Sequence, residues 1–402
     1  MSNLNRRTFL KTSVLGAAGA FVGNRLIGAE KLSPVSMGQK KGQVIRRKLG
    51  NTGIELPIVS FGVMRADNPA LIPAAIEAGY EHFDTAHGYQ KGNNEKMLGK
   101  ILKDYPRDSF TIATKVPPEE KDRKTGHLLS GSTKKAFLEK LDTSLERLQM
   151  DYVDILYAHS ISSRQAVGFE PILDALQTAK KQGKARHIGL STHSREHEVI
   201  DEAIKVGVHE VILTAYNFRQ DHRDKIKDAI HRASRAGIGI VGMKNMAGGS
   251  MGKDSERSMN FSAALKWVLN DPHVHTNIPG IINFQQLKEN FAAMEDINLT
   301  PQEQEWLYAA SMEEGLYCNA CQTCVSTCRK GLPIPDMMRA YMYAYGYREM
   351  KKAKEVLDEH QIKDNPCSDC SICTVGCVKG FDVPGRLADI GRMGRVPNDF
   401  LV

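Results

Sequence analysis

An alternation constrains this chain more than any other feature. From Ile58 onward, short apolar or β-branched runs take turns with segments whose apolar residues recur at i, i+3 and i+4. The candidate strands begin at Val59 (VSFGV), His82 (HFDTA), Phe110 (FTIATKV), Tyr152 (YVDILYAH), Ala185 (ARHIGLST), Glu210 (EVILTAYN), Ile238 (IGIVGMKN) and Thr276 (TNIPGII). A helical stripe such as Phe137, Leu141, Leu145 and Leu148 separates them, and Gly79, Gly183, Gly207 and Gly237 stand where four helices should stop. Eight such units over about 250 residues predict an α/β chain closed into a (β/α)₈ TIM barrel. An open doubly wound sheet is the competing topology, but no G-x-G-x-x-G turn follows the first strand. A hairpin over residues 44–57, turning at Asn51-Thr52-Gly53, precedes the pattern and is expected to plug the N-terminal end of the barrel.

The alternation stops near Thr300, and cysteines appear only after it. The resulting division is a signal peptide over 1–29, a linker over 30–43, the barrel over 44–300, and a small, mainly α, ferredoxin-like iron–sulfur domain over 301–402. Residues 336–360 are helical in pattern, with Met338, Tyr341, Met342 and Tyr345 on one side as core packing. The N-terminus reads MSNLNRRTFLK before a short Ala/Gly-rich apolar run, which is too short to span a membrane. Arg6–Arg7 followed by Thr8-Phe9-Leu10-Lys11 resembles a twin-arginine export signal, a route for folded, cofactor-loaded proteins. The expected location is therefore the periplasm or cell exterior. The net charge of +7 includes the basic N-terminus and forms no aromatic-interleaved stripe, so nucleic-acid binding is not expected.

Cys318, Cys321, Cys324 and Cys328 are spaced C-x2-C-x2-C-x3-C, and Cys367, Cys370, Cys373 and Cys377 repeat that spacing. In the bacterial two-cluster ferredoxin pattern the fourth Cys of each run ligates the other cluster. Cys318, Cys321, Cys324 and Cys377 would then hold one 4Fe–4S cluster, and Cys367, Cys370, Cys373 and Cys328 the second. Pro does not follow the fourth Cys, where Arg329 and Val378 stand, although Pro333 and Pro384 follow five and seven residues after it. Disulfides and zinc are the alternatives. Disulfide frameworks usually staple small domains, whereas this barrel has no cysteine, and zinc favours paired C-x2-C units.

In a barrel of this kind chemistry belongs at the C-terminal ends of strands. Those ends offer Asp84 with nearby Tyr89, Lys115 and His159. Singly each has a structural reading, as a loop cap, a packed ring, a surface lysine or a core histidine. Together they suit carbonyl reduction, because hydride addition leaves an alkoxide that needs a proton. Tyr89 is the acid, Lys115 favours its phenolate, Asp84 anchors Lys115, and His159 orients the carbonyl oxygen.

The stretches FDTAHGY with Glu95, TKV, DYVDILYAH, GKARHIGLS, MKNMAGG and NIPGIINFQQLKEN resemble the aldo/keto reductase family over about residues 46–296. The resemblance implies an NADP- or NAD-dependent oxidoreductase of small carbonyl or alcohol substrates, with the nicotinamide at the barrel mouth. By carry-over, Gly62 and Asp84 border the nicotinamide ribose, and Ser191 and Thr192 face the carboxamide. Lys244, Gly248 and Gly249 lie along the pyrophosphate, and Glu289 and Asn290 at the adenine. Thr192, Leu213 and Met243 depart from the family's usual Asn, Gln and aromatic. Gly280, Ile281 and Gln286 replace its 2′-phosphate donors, which leaves NAD versus NADP open. The clusters would pass electrons, with an electron-transfer protein as partner, or brace the tail. The competing function is a non-catalytic cofactor-binding sensor or interaction module. Loops 117–132 and 160–169 are charged or irregular and show no readable pocket.

Overall fold

The computed structural model describes residues 43–249, 258–313 and 315–401, so the expected signal segment lies outside the described residues. Eight strands form one parallel sheet: β3 (Phe61–Gly62), β4 (His82–Asp84), β5 (Thr111–Val116), β6 (Val153–Ala158), β7 (Ala185–Thr192), β8 (Val211–Ala215), β9 (Gly239–Met243) and β10 (Thr276–Asn277). Neighbours in sequence are neighbours in the sheet throughout. Parallel bridges Val59–Asn277 and Gly62–Gly280 join its first and last members and close the ring. The first and last strands are shorter than their sequence runs suggest, because those residues pair with each other through these isolated bridges.

The preceding hairpin pairs β1 (Arg46–Lys48) with β2 (Glu55–Pro57), antiparallel. Its Leu49 and Leu56 are buried among Ala113, Ile155, Tyr157, Val211, Leu213 and Val241, the side chains that fill the barrel interior. The Asn51 amide donates to Gly237 O at 2.8 Å, just before β9 begins. The hairpin therefore seals the N-terminal end, as its sequence predicts. A second apolar layer, including Phe83, Phe137, Leu156 and Ile188, lies between the strands and the outer helices. The four predicted helix-stop glycines all lie at positive φ.

Beyond the barrel, the helix Pro301–Met312 starts with a Thr300–Glu303 capping box and packs Leu307 and Ala310 onto barrel residues Ala263 and Ala264. The remainder is helical, with Thr323–Thr327, Ile334–Tyr341, Met350–Glu359 and Val383–Arg392, and no strand follows β10 among the described residues. Residues 336–360 are not one helix. The first helix widens into a π-turn at Met342–Gly346, Arg348 takes a left-handed φ of 60°, and a new helix starts at Met350. At the break the chain passes close to the barrel, where a Cβ on Gly346 would lie 2.1 Å from Gly248 O. Met338, Tyr341 and Met342 are buried in the apolar core of this region, with Tyr345 partly buried against it, as expected.

This C-terminal region is fastened to the loops that follow the barrel strands. Ser194 Oγ donates to Ala320 O at 2.7 Å, and Asn319 Nδ2 donates to Asp221 at 2.8 Å. Lys379 pairs with Asp221 at 3.0 Å, and Arg65 pairs with Glu349. All these contacts fall on the C-terminal face, over the mouth where a barrel carries its chemistry.

Candidate active site

Asp84 ends β4, and Lys115 lies one residue before the end of the adjacent strand β5. Both side chains are fully buried, and their ion pair is completed by Lys115 Nζ donating to Thr85 O at 2.6 Å and Tyr89 Oη at 3.3 Å. The three N–H donors of the ammonium thus meet a carboxylate, a carbonyl and a phenol. His159 follows β6, and its ring stands edge-on to that of Tyr89 with centroids 6.1 Å apart. The four residues singled out from the strand ends converge on one place.

The loop carrying Tyr89 is strongly determined. Gln90 and Lys91 take left-handed φ of 49° and 55°, and Gln90 Nε2 donates to Asp67 at 2.8 Å. Buried Glu95 accepts from Thr114 Oγ1 at 2.7 Å and from Arg147 at 3.2 Å, while Arg147 also donates to His87 O at 2.9 Å. Strained backbone persists where surrounding contacts over-determine it, typically at functional sites. Arg147 is part of this scaffold and carries no local sequence signal, since it lies on a different helix.

Electrostatics refine the sequence reading of Tyr89. Burial raises the phenol above its ordinary value, and the opposing pull of Lys115 does not overcome it. The side chain is a protonated phenol at neutral pH, not a preformed phenolate. Lys115 is itself raised, because Asp84 and Tyr89 outweigh its burial. Burial lowers His159 well below its usual value, and Lys115, His193, Lys121 and Arg339 add to this, so its imidazole is neutral.

The residues carried over for the nicotinamide differ in how free their polar atoms are. Asp84 Oδ2 is buried without a hydrogen-bond partner, an acceptor available for a ribose hydroxyl. Ser191 Oγ accepts from the Ser160 amide at 3.0 Å, and Thr192 Oγ1 donates to Ser194 O at 3.0 Å. Gly62 packs backbone to backbone against Ile278 and Pro279, so a Cβ there would meet Ile278 O at 2.7 Å. Glu289 is exposed and accepts from Gln285 at 2.8 Å, and Asn290 is buried. The C-terminal region covers the Gly248–Gly249 turn: a Cβ on Gly249 would lie 2.4 Å from the Tyr347 ring. Lys244 stands 5.9 Å from the centroid of Tyr343, over the mouth.

The matching model is that of the aldo/keto reductase family, over residues 60–263. The chain belongs to that family. It is 26% identical over 326 residues to the L-glyceraldehyde 3-phosphate reductase of Escherichia coli, covering 66% of this chain and 92% of that protein. It is 28% identical over 300 residues to the L-galactose dehydrogenase of Arabidopsis thaliana, covering 65% and 91%. Among solved structures, an aldo-keto reductase of Bacillus halodurans in its holo form superposes with a TM-score of 0.56 at 23% identity, over 68% of this chain and 98% of that one. A thermostable aldo-keto reductase bound to the inhibitor epalrestat gives 0.53 at 24%, over 66% and 99%. The chain is an aldo/keto reductase-type oxidoreductase of carbonyl and alcohol substrates.

The cysteines lie outside the matched span. All eight are free thiols, and among the described residues no group of three or more Cys, His, Asp or Glu side chains is close enough to hold a metal ion. The two runs nevertheless lie side by side. Thr374 Oγ1 donates to Thr327 O at 2.7 Å, and Lys330 Nζ donates to Pro366 O at 2.9 Å. Burial raises Cys318 to about 12, and its neighbours Cys324, Cys321 and Cys377 push the same way. Cys367 is raised by burial and by Cys370, Cys373 and Cys328. Cys377 thus lies near Cys318 and Cys324 and Cys328 near Cys367, while Cys328 also acts on Cys324 of its own run. Among the described residues no helix is long and apolar enough to cross a membrane.

Proposed function

We propose that this aldo/keto reductase exchanges a hydride between a nicotinamide and a carbonyl or alcohol at the barrel mouth, and that its cysteines hold two 4Fe–4S clusters. The observation that carries the first part is the position of Lys115 Nζ, bonded at once to Asp84, Thr85 O and Tyr89 Oη. A bound nicotinamide supplies or accepts the hydride. As negative charge grows on the substrate oxygen, Tyr89 Oη donates its proton to that oxygen, and His159 hydrogen-bonds to it. Burial keeps the phenol protonated beforehand, and the adjacent ammonium stabilises the phenolate left behind. Asp84 holds the ammonium in place. In alcohol oxidation the same proton returns to Tyr89.

Cys318, Cys321, Cys324 and Cys377 are the ligands proposed for one cluster, and Cys367, Cys370, Cys373 and Cys328 for the other, each supplying one-electron redox capacity. Cys370 and Cys373 are exposed, together with Ile372 and Val378, and this exposure supports the second site as the one to face an electron-transfer partner. The proximity of Cys377 to Cys318 and Cys324, and of Cys328 to Cys367, supports this assignment. Export in the folded state by the twin-arginine route to the periplasm or cell exterior accords with a cofactor-loaded protein. Because Tyr347 and Gly346 cover Gly248–Gly249, the nicotinamide is expected to travel as a bound group and not to exchange freely. A non-catalytic sensor remains the second reading, favoured by the engagement of the Ser191 and Thr192 hydroxyls with backbone groups.

Anaerobic purification followed by iron, sulfide and nicotinamide analysis of one sample, with turnover across a carbonyl panel, tests these parts separately. Cys328→Ser should remove roughly half of the iron and sulfide. Metal-free protein would end the cluster assignment, and cofactor-loaded protein inert to every carbonyl would favour the sensor.

A further inference from the structure

A cavity of about 210 Å³ lies between the barrel mouth and the C-terminal region, far above the ~10–15 Å³ that one water needs. Its wall carries Lys121, Arg123, Lys244 and Arg339, against a single carboxylate, Asp336. Asp336 is already engaged, at 2.8 Å from Arg339 and 3.1 Å from His360. Among the described residues Lys121 and Arg123 form no direct ion pair, although Asp336 also acts on Lys121, and Lys244 is the residue carried over for the pyrophosphate. His193, also in the wall, is held down at about 3, by burial first and then by Lys244, Arg339 and Lys121. It adds no compensating charge of either sign. Lys121 and Arg123 are exposed while Lys244 and Arg339 are partly buried, so like charges crowd this wall and an anion between them is favoured.

The cavity adjoins the catalytic group. Lys121 Nζ donates to the carbonyl of Ser160, the residue after His159, at 3.2 Å. Ser160 Oγ is 3.4 Å from His193 Nε2. The charges of Lys121 and Arg339 both act on His159. A substrate long enough to reach from Tyr89 and His159 past Ser160 enters the cavity that Lys121 and Arg339 line.

We propose that this cavity binds an anionic group, carboxylate or phosphate, on the carbonyl substrate, with Lys121 from a barrel loop and Arg339 from the C-terminal region as its specificity-determining pair. The proposal rests on the reductase reading and names its substrate class. It also gives the C-terminal region a role at the active site, since one half of the anion clamp comes from the barrel and the other half from the segment Ile334–Tyr341.

The test uses full-length, cofactor-loaded protein and matched aldehydes: succinic semialdehyde against butanal for the carboxylate, and glycolaldehyde phosphate against glycolaldehyde for the phosphate. At least one charged member should exceed its neutral partner at least tenfold in kcat/KM, and the pair that does so identifies the anion. Arg339→Gln and Lys121→Met should each lower that ratio by roughly tenfold, as expected for a charge-assisted contact. Lys121 lies at the exposed rim, so its variant keeps the test available if Arg339→Gln does not fold. Inorganic phosphate should compete with the aldehyde and not with the nicotinamide. Ratios near one, ratios unchanged in a folded variant, or phosphate competing with the nicotinamide would overturn the proposal and leave the reductase reading intact. If no aldehyde turns over, calorimetric binding of succinate or phosphate that is lost in Arg339→Gln or Lys121→Met would uphold the anion site while the reductase reading fails. Absence of such binding would overturn both.

Discussion

Replacing Lys115 with methionine removes an ammonium that serves a carboxylate, a carbonyl and a phenol together. Lys115 and Asp84 are each 1% exposed, so water cannot take over the lost contacts. Breaking a buried pair from one side costs about 3–5 kcal/mol, because the other charge stays behind uncompensated. The effect belongs at the upper end here, since Asp84 Oδ2 has no partner even in the intact protein. The variant also acquires a pH dependence of known sign. Without its cation, buried Asp84 has a folded pKa raised above the unfolded value, so stability is retained below the unfolded pKa and lost as pH rises through the folded one. Urea unfolding followed by tryptophan fluorescence should show Lys115→Met destabilised by about 3–5 kcal/mol at pH 8 and by less at pH 5. The double variant Asp84→Asn/Lys115→Met should recover part of the loss. A destabilisation below about 1 kcal/mol, or a double variant equal to the sum of the singles, would refute the buried pair as the element that organises the site.

Two further outcomes follow from burial and from the docked C-terminal region. His82 and His209 are held near 4 by burial, against an ordinary 6.5, so the unfolded chain binds their protons first. Stability should fall as pH drops from 6.5 toward 4, by up to about 1.4 kcal/mol per pH unit for each histidine, and His209→Gln should flatten the slope in a urea titration. Gly346→Ala places a methyl 2.1 Å from Gly248 O, an overpacking worth about 1–3 kcal/mol. It should make residues 342–349 cleavable in limited proteolysis and release the bound nicotinamide several-fold faster. A wild-type release rate would show that this contact does not retain it.

The barrel was legible in the sequence because its signals are local. Leu141 and Leu145 mark a helix face by spacing alone, and Asp84, Lys115 and His159 are identifiable once strand ends are known. Leu49 and Leu56 mark the plug by position. What the chain does after Thr300 depends on contacts about a hundred residues apart. At the break over Met342–Gly346 the chain closes on Gly248, an approach that no helical period reveals. Arg339 reads as an ordinary solvated face of the stripe over 336–360, yet the fold turns it into the cavity beside His193. Lys121 and Ser160 lie in loops without pattern, and only their meeting across the mouth gives them a surface in common. The sign of the Tyr89 shift was equally out of reach, because burial, which decides it, is a property of the packed loop.

The central claim is that Tyr89 is the acid of a buried proton-donating group in a working reductase. Its most direct test compares wild-type and Tyr89→Phe protein, both loaded with nicotinamide and purified without oxygen, on the best carbonyl substrate of a broad panel. Removal of a positioned general acid predicts a fall of about 10²–10⁴ in kcat, with substrate binding nearly unchanged. A phenylalanine variant that turns over at the wild-type rate would contradict it.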